Sequence, residues 1–177
     1  MTEQEVHQLV LILNKMKTLK RNMWIKNGMR RAESIAEHSY SLALLTSLLT
    51  PPELDRLKCL KMALVHDLPE TYCGDFVAGE MEPDEKFRLE LSAMETIASK
   101  IAAPELVDIF KEYETSASPE AKFVKALDKI DNVMTARLYY DGKTSQNLVC
   151  ECASEAYPAI MNAETTVPLL SILQALF

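Results

Sequence analysis

Glycine is scarce in this chain, with only Gly28, Gly74, Gly79 and Gly142 among 177 residues. Runs of β-branched residues are few as well, while Leu, Ala, Met, Glu and Lys abound, a composition that disfavours sheet and favours helix throughout. Basic residues are outnumbered, 19 Lys and Arg against 26 Asp and Glu, for a net charge of −7. A surface built to neutralise a nucleic-acid backbone needs clustered cations, so no nucleic-acid partner is expected. A small phosphorylated ligand is a different case, because it responds to the local charge of a pocket, where a bound metal ion can be the largest charge. The four cysteines, Cys59, Cys73, Cys150 and Cys152, form no C-x-x-C pair and no disulfide framework. They read as free thiols of a reducing compartment. No stretch approaches the roughly 18 apolar residues of a membrane span, and the polar run Met1 to Glu5 lacks a basic-then-apolar signal pattern. The expected setting is therefore cytoplasmic, without a membrane partner.

What is present is apolar residues, at 48%, enough for a sizeable core in one domain spanning 1–177. Val6, Leu9, Val10, Leu13, Met16 and Leu19 recur at helical spacing and predict a first helix. Arg21 to Arg31 loses that period and reads as an irregular connection. Ser34-Ile35-Ala36-Glu37 has the form of a capping box, so a second helix starts at Ser34 and stops before Pro51-Pro52. A third runs from Glu53 to Val65, and Glu70 to Glu82 reads as a loop. Further helices are expected over Asp84 to Ile101, Pro104 to Tyr113, Pro119 to Tyr140 and Gln146 to Met161, with a short one after Pro168. The fold class is all-α, with about seven or eight helices.

Only three histidines occur. His7 lies on the first helix without an acidic neighbour of matching type and reads as an ordinary side chain. The other two keep unusual company: Glu37-His38 at a capped helix start and His66-Asp67 beside a helix end. Adjacent His and Asp occur often by chance, so the doublet alone is a weak sign of a metal site. Its context is Ala63-Leu64-Val65-His66-Asp67-Leu68-Pro69-Glu70 and then Gly74-Asp75, with Ala126-Leu127-Asp128 some sixty residues downstream.

An isolated His, a His-Asp doublet and a later Asp, in that order, resemble the HD-domain phosphohydrolase superfamily. The resemblance implies that His38, His66, Asp67 and Asp128 converge from different helices on one divalent cation. Two imidazoles and two carboxylates leave positions open for water and a phosphate oxygen, and this mixed set suits Mn, Co, Fe, Ni or Zn better than Mg or Ca. The segment Trp24 to His38, the block His66-Asp67-x-x-Glu70 with Gly74-Asp75, and Glu112 to Asp128 resemble its 5′-deoxynucleotidase branch. That branch implies hydrolysis of deoxyribonucleoside 5′-monophosphates to deoxyribonucleoside and phosphate by a metal-activated water, in a homodimer. It also implies Trp24 as the gate of the sugar site and an Arg near it orienting the phosphate. One form of the pattern has Arg immediately before Trp; here Met23 stands there, which leaves Arg21 as the leading candidate and Arg31 as the second.

Glu70 is assigned by the resemblance to proton handling, a service worth roughly 10²–10⁴-fold in rate. Asp75 is assigned with Glu70 to the catalytic groups and, with Phe76, Val77 and Ala78, to the nucleotide, alongside His38, Asp67 and Asp128. An alternative has Glu70 and Asp75 hold a second metal. Two other readings of the whole chain stand beside this one: action on another phosphate compound, such as a triphosphate, cyclic nucleotide or alarmone, and a helical nucleotide-binding module without turnover.

Overall fold

The helical periodicity of the sequence emerges in a computed structural model as ten helical segments, with residues 1–29, 31–139, 146–165 and 167–175 described. They are α1 (Glu3–Thr18), α2 (Asn22–Lys26), α3 (Ile35–Leu49), α4 (Arg56–Val65), α5 (Glu70–Cys73), α6 (Pro83–Lys100), α7 (Glu105–Glu114), α8 (Pro119–Tyr139), α9 (Gln146–Ala163) and α10 (Leu169–Gln174). No strand occurs among the described residues, and the all-α expectation holds.

Local chemistry explains the boundaries. Ser34 and Glu37 form the expected capping box, the Ser34 side chain accepting from Glu37 N while the Glu37 carboxylate accepts from Ser34 N. Asp55 caps α4 by accepting from Lys58 N at 3.1 Å, which starts that helix at Arg56 rather than Glu53. Ser118 accepts from Ala121 N at 3.1 Å and Pro119 opens α8, the expected Ser-Pro start. Tyr140, the expected end of α8, lies outside the described residues.

Two segments correct the sequence reading. The irregular connection after Arg21 contains α2, and the loop after Pro69 contains α5. Each is a turn or so long, too short for a periodic pattern to register. The Asp75 carboxylate accepts from Asn22 N at the start of α2, a contact 53 residues away in the chain. In α5, Pro69 has helical angles, φ −56 and ψ −30, and Gly74 at φ +88 ends the turn, where a side chain would be strained.

One isolated antiparallel bridge, Lys20 with Ser34, closes residues 21–33 into an excursion from the helical layers. Arg21 N donates to Glu33 O and Ile35 N to Leu19 O, both at 3.0 Å. α2 is carried on that closed loop.

Two apolar clusters hold the helices. One surrounds α8, with Phe123, Val124, Leu127, Ile130 and Val133 packed against residues of α3, α4, α9 and α10. The other joins α1, α6 and α7 through Ile12, Met16, Met94, Ile97 and Phe110. Each such side chain contributes roughly 1.5–3 kcal/mol on burial. Ile35 and Leu68, close in sequence to His38 and His66, belong to the second cluster, whereas Leu42 and Met62 belong to the first. The metal-type residues therefore lie where the two clusters meet.

Candidate metal centre

His38 stands in the first turn of α3, fixed by the capping box and wholly buried. His66 caps the C-terminal end of α4 and Asp67 follows it, while Asp128 projects from α8. Their functional atoms meet. His38 Nε2 lies 3.3 Å from His66 Nε2, 3.1 Å from Asp128 Oδ1 and 3.7 Å from Asp67 Oδ2, and His66 Nε2 lies 3.1 Å from Asp67 Oδ2.

The outer nitrogens decide what those inner atoms offer. His38 Nδ1 is 2.8 Å from Asp131 Oδ2 and His66 Nδ1 is 3.1 Å from the carbonyl of Ala63. Both partners accept only, so each Nδ1 carries a proton and donates it. In a neutral ring Nε2 then presents a lone pair. When both rings are neutral, two lone pairs and two carboxylates point at one another and repel unless a cation lies between them; without a metal ion, a proton on His38 takes that place. Asp67 Oδ2 is buried with no hydrogen-bond donor, a costly arrangement that a divalent ion relieves. His38, His66 and Asp67 thus fit a metal ion, with Asp128 beside them.

Charge in the site is set by these neighbours. Burial works against ionisation of Asp67, but His66, His38 and Arg21 hold its carboxyl below the ordinary range. Burial likewise opposes charge on Asp128, and His38 and Lys129 keep it well below that range. Burial and the Arg21 guanidinium push the His38 imidazole down, and Asp128 and Asp131 overcome both to lift it to about 9. Glu70 behaves in the opposite way: burial, then Asp67 and Asp75, raise its carboxyl well above the usual value, and its Oε2 has no hydrogen-bond partner. Burial also raises Asp75.

Beside this group lies a cavity of about 500 Å³. Its wall includes Arg21, Glu70 and the run Asp75, Phe76, Val77 and Ala78, together with His66, Asp67 and Asp128. The Arg21 guanidinium donates to Asn132 Oδ1 at 2.6 Å and faces Glu33 Oε1 at 3.5 Å. Burial costs it, yet Asp67, Asp128, Glu33 and Glu70 raise its pKa, so it remains a cation.

Three expected substrate contacts, His38, Trp24 and Arg31, are not brought to this wall, His38 being wholly buried among the metal-type residues. Trp24 is wholly buried, its Nε1–H donates to Glu33 Oε1 at 2.9 Å, and its ring meets Tyr139 edge-on at 5.8 Å. Arg31 is exposed and lies off the wall, so Arg21 is the arginine of the cavity. Instead Met23 and Asn27, one helical turn apart at α2, line it, as do Lys86 on α6 and Leu148, Glu151 and Cys152 on α9. Sequence reasoning missed these, and also Asn132. Asp131 alone carried a signal, its spacing three residues beyond Asp128 on one helical side.

Comparison with known proteins follows the same lines. The family model described as "HD domain" matches residues 13–160. A 5′-deoxynucleotidase of Schizosaccharomyces pombe is 38% identical over 129 residues, which cover 68% of this chain and 65% of that protein. The match thus spans just under two thirds of that relative's length. A 5′-deoxynucleotidase of Homo sapiens is 33% identical over 138 residues, covering 76% of this chain and 68% of the human one. A crystal structure of a protein from Pyrococcus horikoshii OT3 superposes with a TM-score of 0.74 at 28% identity, over 96% of this chain and 94% of that one.

Proposed function

This chain belongs to the HD-domain family, and on that premise we propose that it is a metal-dependent 5′-deoxynucleotidase acting as one domain over 1–177. The observation that carries the proposal is the buried, donorless Asp67 Oδ2 facing two imidazole nitrogens at the edge of a nucleotide-sized cavity that also holds a buried arginine.

His38, His66, Asp67 and Asp128 would hold the divalent cation, with Mn, Co, Fe, Ni or Zn suited to two nitrogens and two carboxylates. When bound, such an ion lowers the pKa of water toward neutrality and offsets phosphoryl charge. The protein's own groups do the rest. Arg21 orients the phosphate with a guanidinium that Asn132 and Glu33 already hold in place. Glu70, whose protonated form is favoured by burial and by its acidic neighbours, supplies a proton to the leaving 5′-oxygen. Asp75, Phe76, Val77 and Ala78 form the nucleotide wall, and Trp24 acts on sugar selectivity indirectly, through the placement of Met23. The alternative, a second cation held by Glu70 and Asp75, rests on both residues lining the same cavity.

The wider proposal is a homodimer in a reducing, cytoplasmic compartment. The four free cysteines support the compartment, and Tyr40, Leu44 and Leu48, exposed at four-residue spacing on α3, support self-association, which light scattering reads directly. No helix among the described residues is long and apolar enough to cross a membrane.

The test is phosphate release from 5′-deoxyribonucleotides and 5′-ribonucleotides by folded, Mn- or Co-loaded protein. No turnover on any of them refutes the proposal. Tight nucleotide binding without product, unchanged in Glu70→Gln, establishes the binding-module reading in its place. A triphosphate substrate is disfavoured by the wall itself, where Lys86 is paired with Glu90 at 2.9 Å and Lys129 with Glu155 at 3.2 Å.

A further inference from the structure

Glu33 is buried and is not a wall residue of the cavity; its carboxylate stands outside the four-residue set, though its oxygen lies within 4.8 Å of ligand atoms of His38 and Asp131. A carboxylate in such a place costs free energy unless donors meet it. Two do. Glu33 Oε1 accepts from Trp24 Nε1 at 2.9 Å and faces Arg21 Nη1 at 3.5 Å. The same residue's carbonyl accepts from Arg21 N at 3.0 Å, so backbone and side chain together tie Glu33 to the segment that carries Arg21 and Trp24.

We propose that Glu33 is a positioning residue whose one carboxylate oxygen fixes the Arg21 guanidinium and the Trp24 indole in a single relation. Phosphate orientation and the sugar side of the cavity are then set together, a statement that rests on the deoxynucleotidase reading of the site. The sugar side follows because Trp24 anchors α2 in the core, and α2 holds Met23 and Asn27 on the wall. The same Arg21 Nη1 that faces Glu33 also donates to Asn132, the residue after Asp131, so its position is also referred to the helix that orients His38. Two acceptors on one nitrogen restrict the guanidinium, which is what an anchor for in-line attack requires.

Trp24 is the only tryptophan in the chain, so intrinsic emission reports on it alone. Glu33→Gln keeps an oxygen for the indole N–H and removes the charge facing Arg21; Glu33→Leu removes both. The readouts are emission maximum, affinity for inorganic phosphate, and kcat and KM of the Mn-loaded protein on a 5′-deoxyribonucleotide and its ribonucleotide counterpart. Glu33→Gln is expected to keep wild-type emission and deoxy preference while phosphate affinity drops about tenfold, the cost of one charged hydrogen bond. Glu33→Leu is expected to shift the emission, to lower kcat/KM about 100-fold, and to bring the deoxy to ribo ratio toward one. A folded Glu33→Leu protein with wild-type emission and phosphate affinity overturns the proposal. If that variant does not fold, the phosphate affinity of Glu33→Gln decides, unchanged affinity being the refuting result. If the wild-type protein hydrolyses no nucleotide, the deoxynucleotidase reading falls, and emission with phosphate affinity still settles the role of Glu33.

Discussion

Replacing Asp131 by Ala should weaken divalent-cation binding without touching any of the four residues that would contact the ion. Asp131 Oδ2 is 2.8 Å from His38 Nδ1, and both side chains are buried. That hydrogen bond confines the ring proton to Nδ1 and so keeps the lone pair on Nε2, the atom 3.1 Å from Asp128 and 3.3 Å from His66 Nε2. Without it the neutral ring can carry its proton on Nε2, and in that tautomer His38 is no ligand. Losses of outer partners of this type run to about 10- to 100-fold in metal affinity, equivalent to about 1.4 to 2.7 kcal/mol. The assay is calorimetric titration of metal-free protein with Mn, comparing wild type, Asp131→Ala and Asp131→Asn, each checked for a cooperative melt. Asn removes the same charge but keeps an acceptor oxygen, so its loss should be smaller, below about tenfold. Equal losses in the two variants would assign the effect to charge alone and refute the tautomer argument. Wild-type affinity in Asp131→Ala would refute any role for the bond.

Four further outcomes follow from the same geometry. Ser34→Ala removes the α3 cap and should lower stability by about 1 kcal/mol in thermal unfolding. Hydrogen bonds from Ser34 hold the Glu37 carboxyl below its ordinary value of 4.5, so its contribution is complete above that value and disappears as pH falls through the lower folded value. Glu37→Gln should therefore flatten the acid limb of a stability-against-pH curve; an unchanged limb counts against the capping box. Trp24→Ala empties a wholly buried site and should cost about 3–5 kcal/mol in urea unfolding, whereas a loss below 1 kcal/mol would mean that the indole does not pack as the structure has it. Saturating metal should stabilise the fold, by about 2.7 kcal/mol when free ion is 100 times its dissociation constant, and Asp67→Ala should abolish that gain in a calorimetric scan.

The parts legible in the sequence were those whose cause is local. A capping box, an amphipathic period and a Ser-Pro helix start each lie within a few residues, and α1, α3 and α8 formed on those signals. The His66-Asp67 doublet was legible because chain adjacency and spatial adjacency coincide there. Other contacts join distant positions: His38 to Asp131 spans 93 residues and Arg21 to Asn132 spans 111. No spacing rule reaches that far. Trp24 illustrates the limit most directly, since a lone tryptophan in a connecting segment is equally suited to a wall and to a core, and only the packing against Tyr139 and Glu33 separates the two. The α9 wall was invisible for a related reason. Leu148, Glu151 and Cys152 form no motif, and they reach the cavity only because α9 packs along α8.

One turn of α8 explains why the misread segments are also the ones around the cavity. Asp128, Asp131 and Asn132 occupy positions i, i+3 and i+4, one face of the helix. From that face Asp128 meets His38 Nε2, Asp131 orients the same ring, and Asn132 holds Arg21. The opposite sides of this turn are locked by Leu127 and Ile130 in the larger core, so the face cannot rotate to relieve its own charge. Carboxylates of Asp67, Asp128, Asp131 and Glu33 therefore crowd around Arg21 and the histidines with more negative than positive charge. Such a surplus is unfavourable for folding and favourable for cation capture, and the short elements α2 and α5 beside it have too few residues for apolar periodicity to define them. Their sequences obey the site first and helix propensity second, which is where local rules are expected to fail.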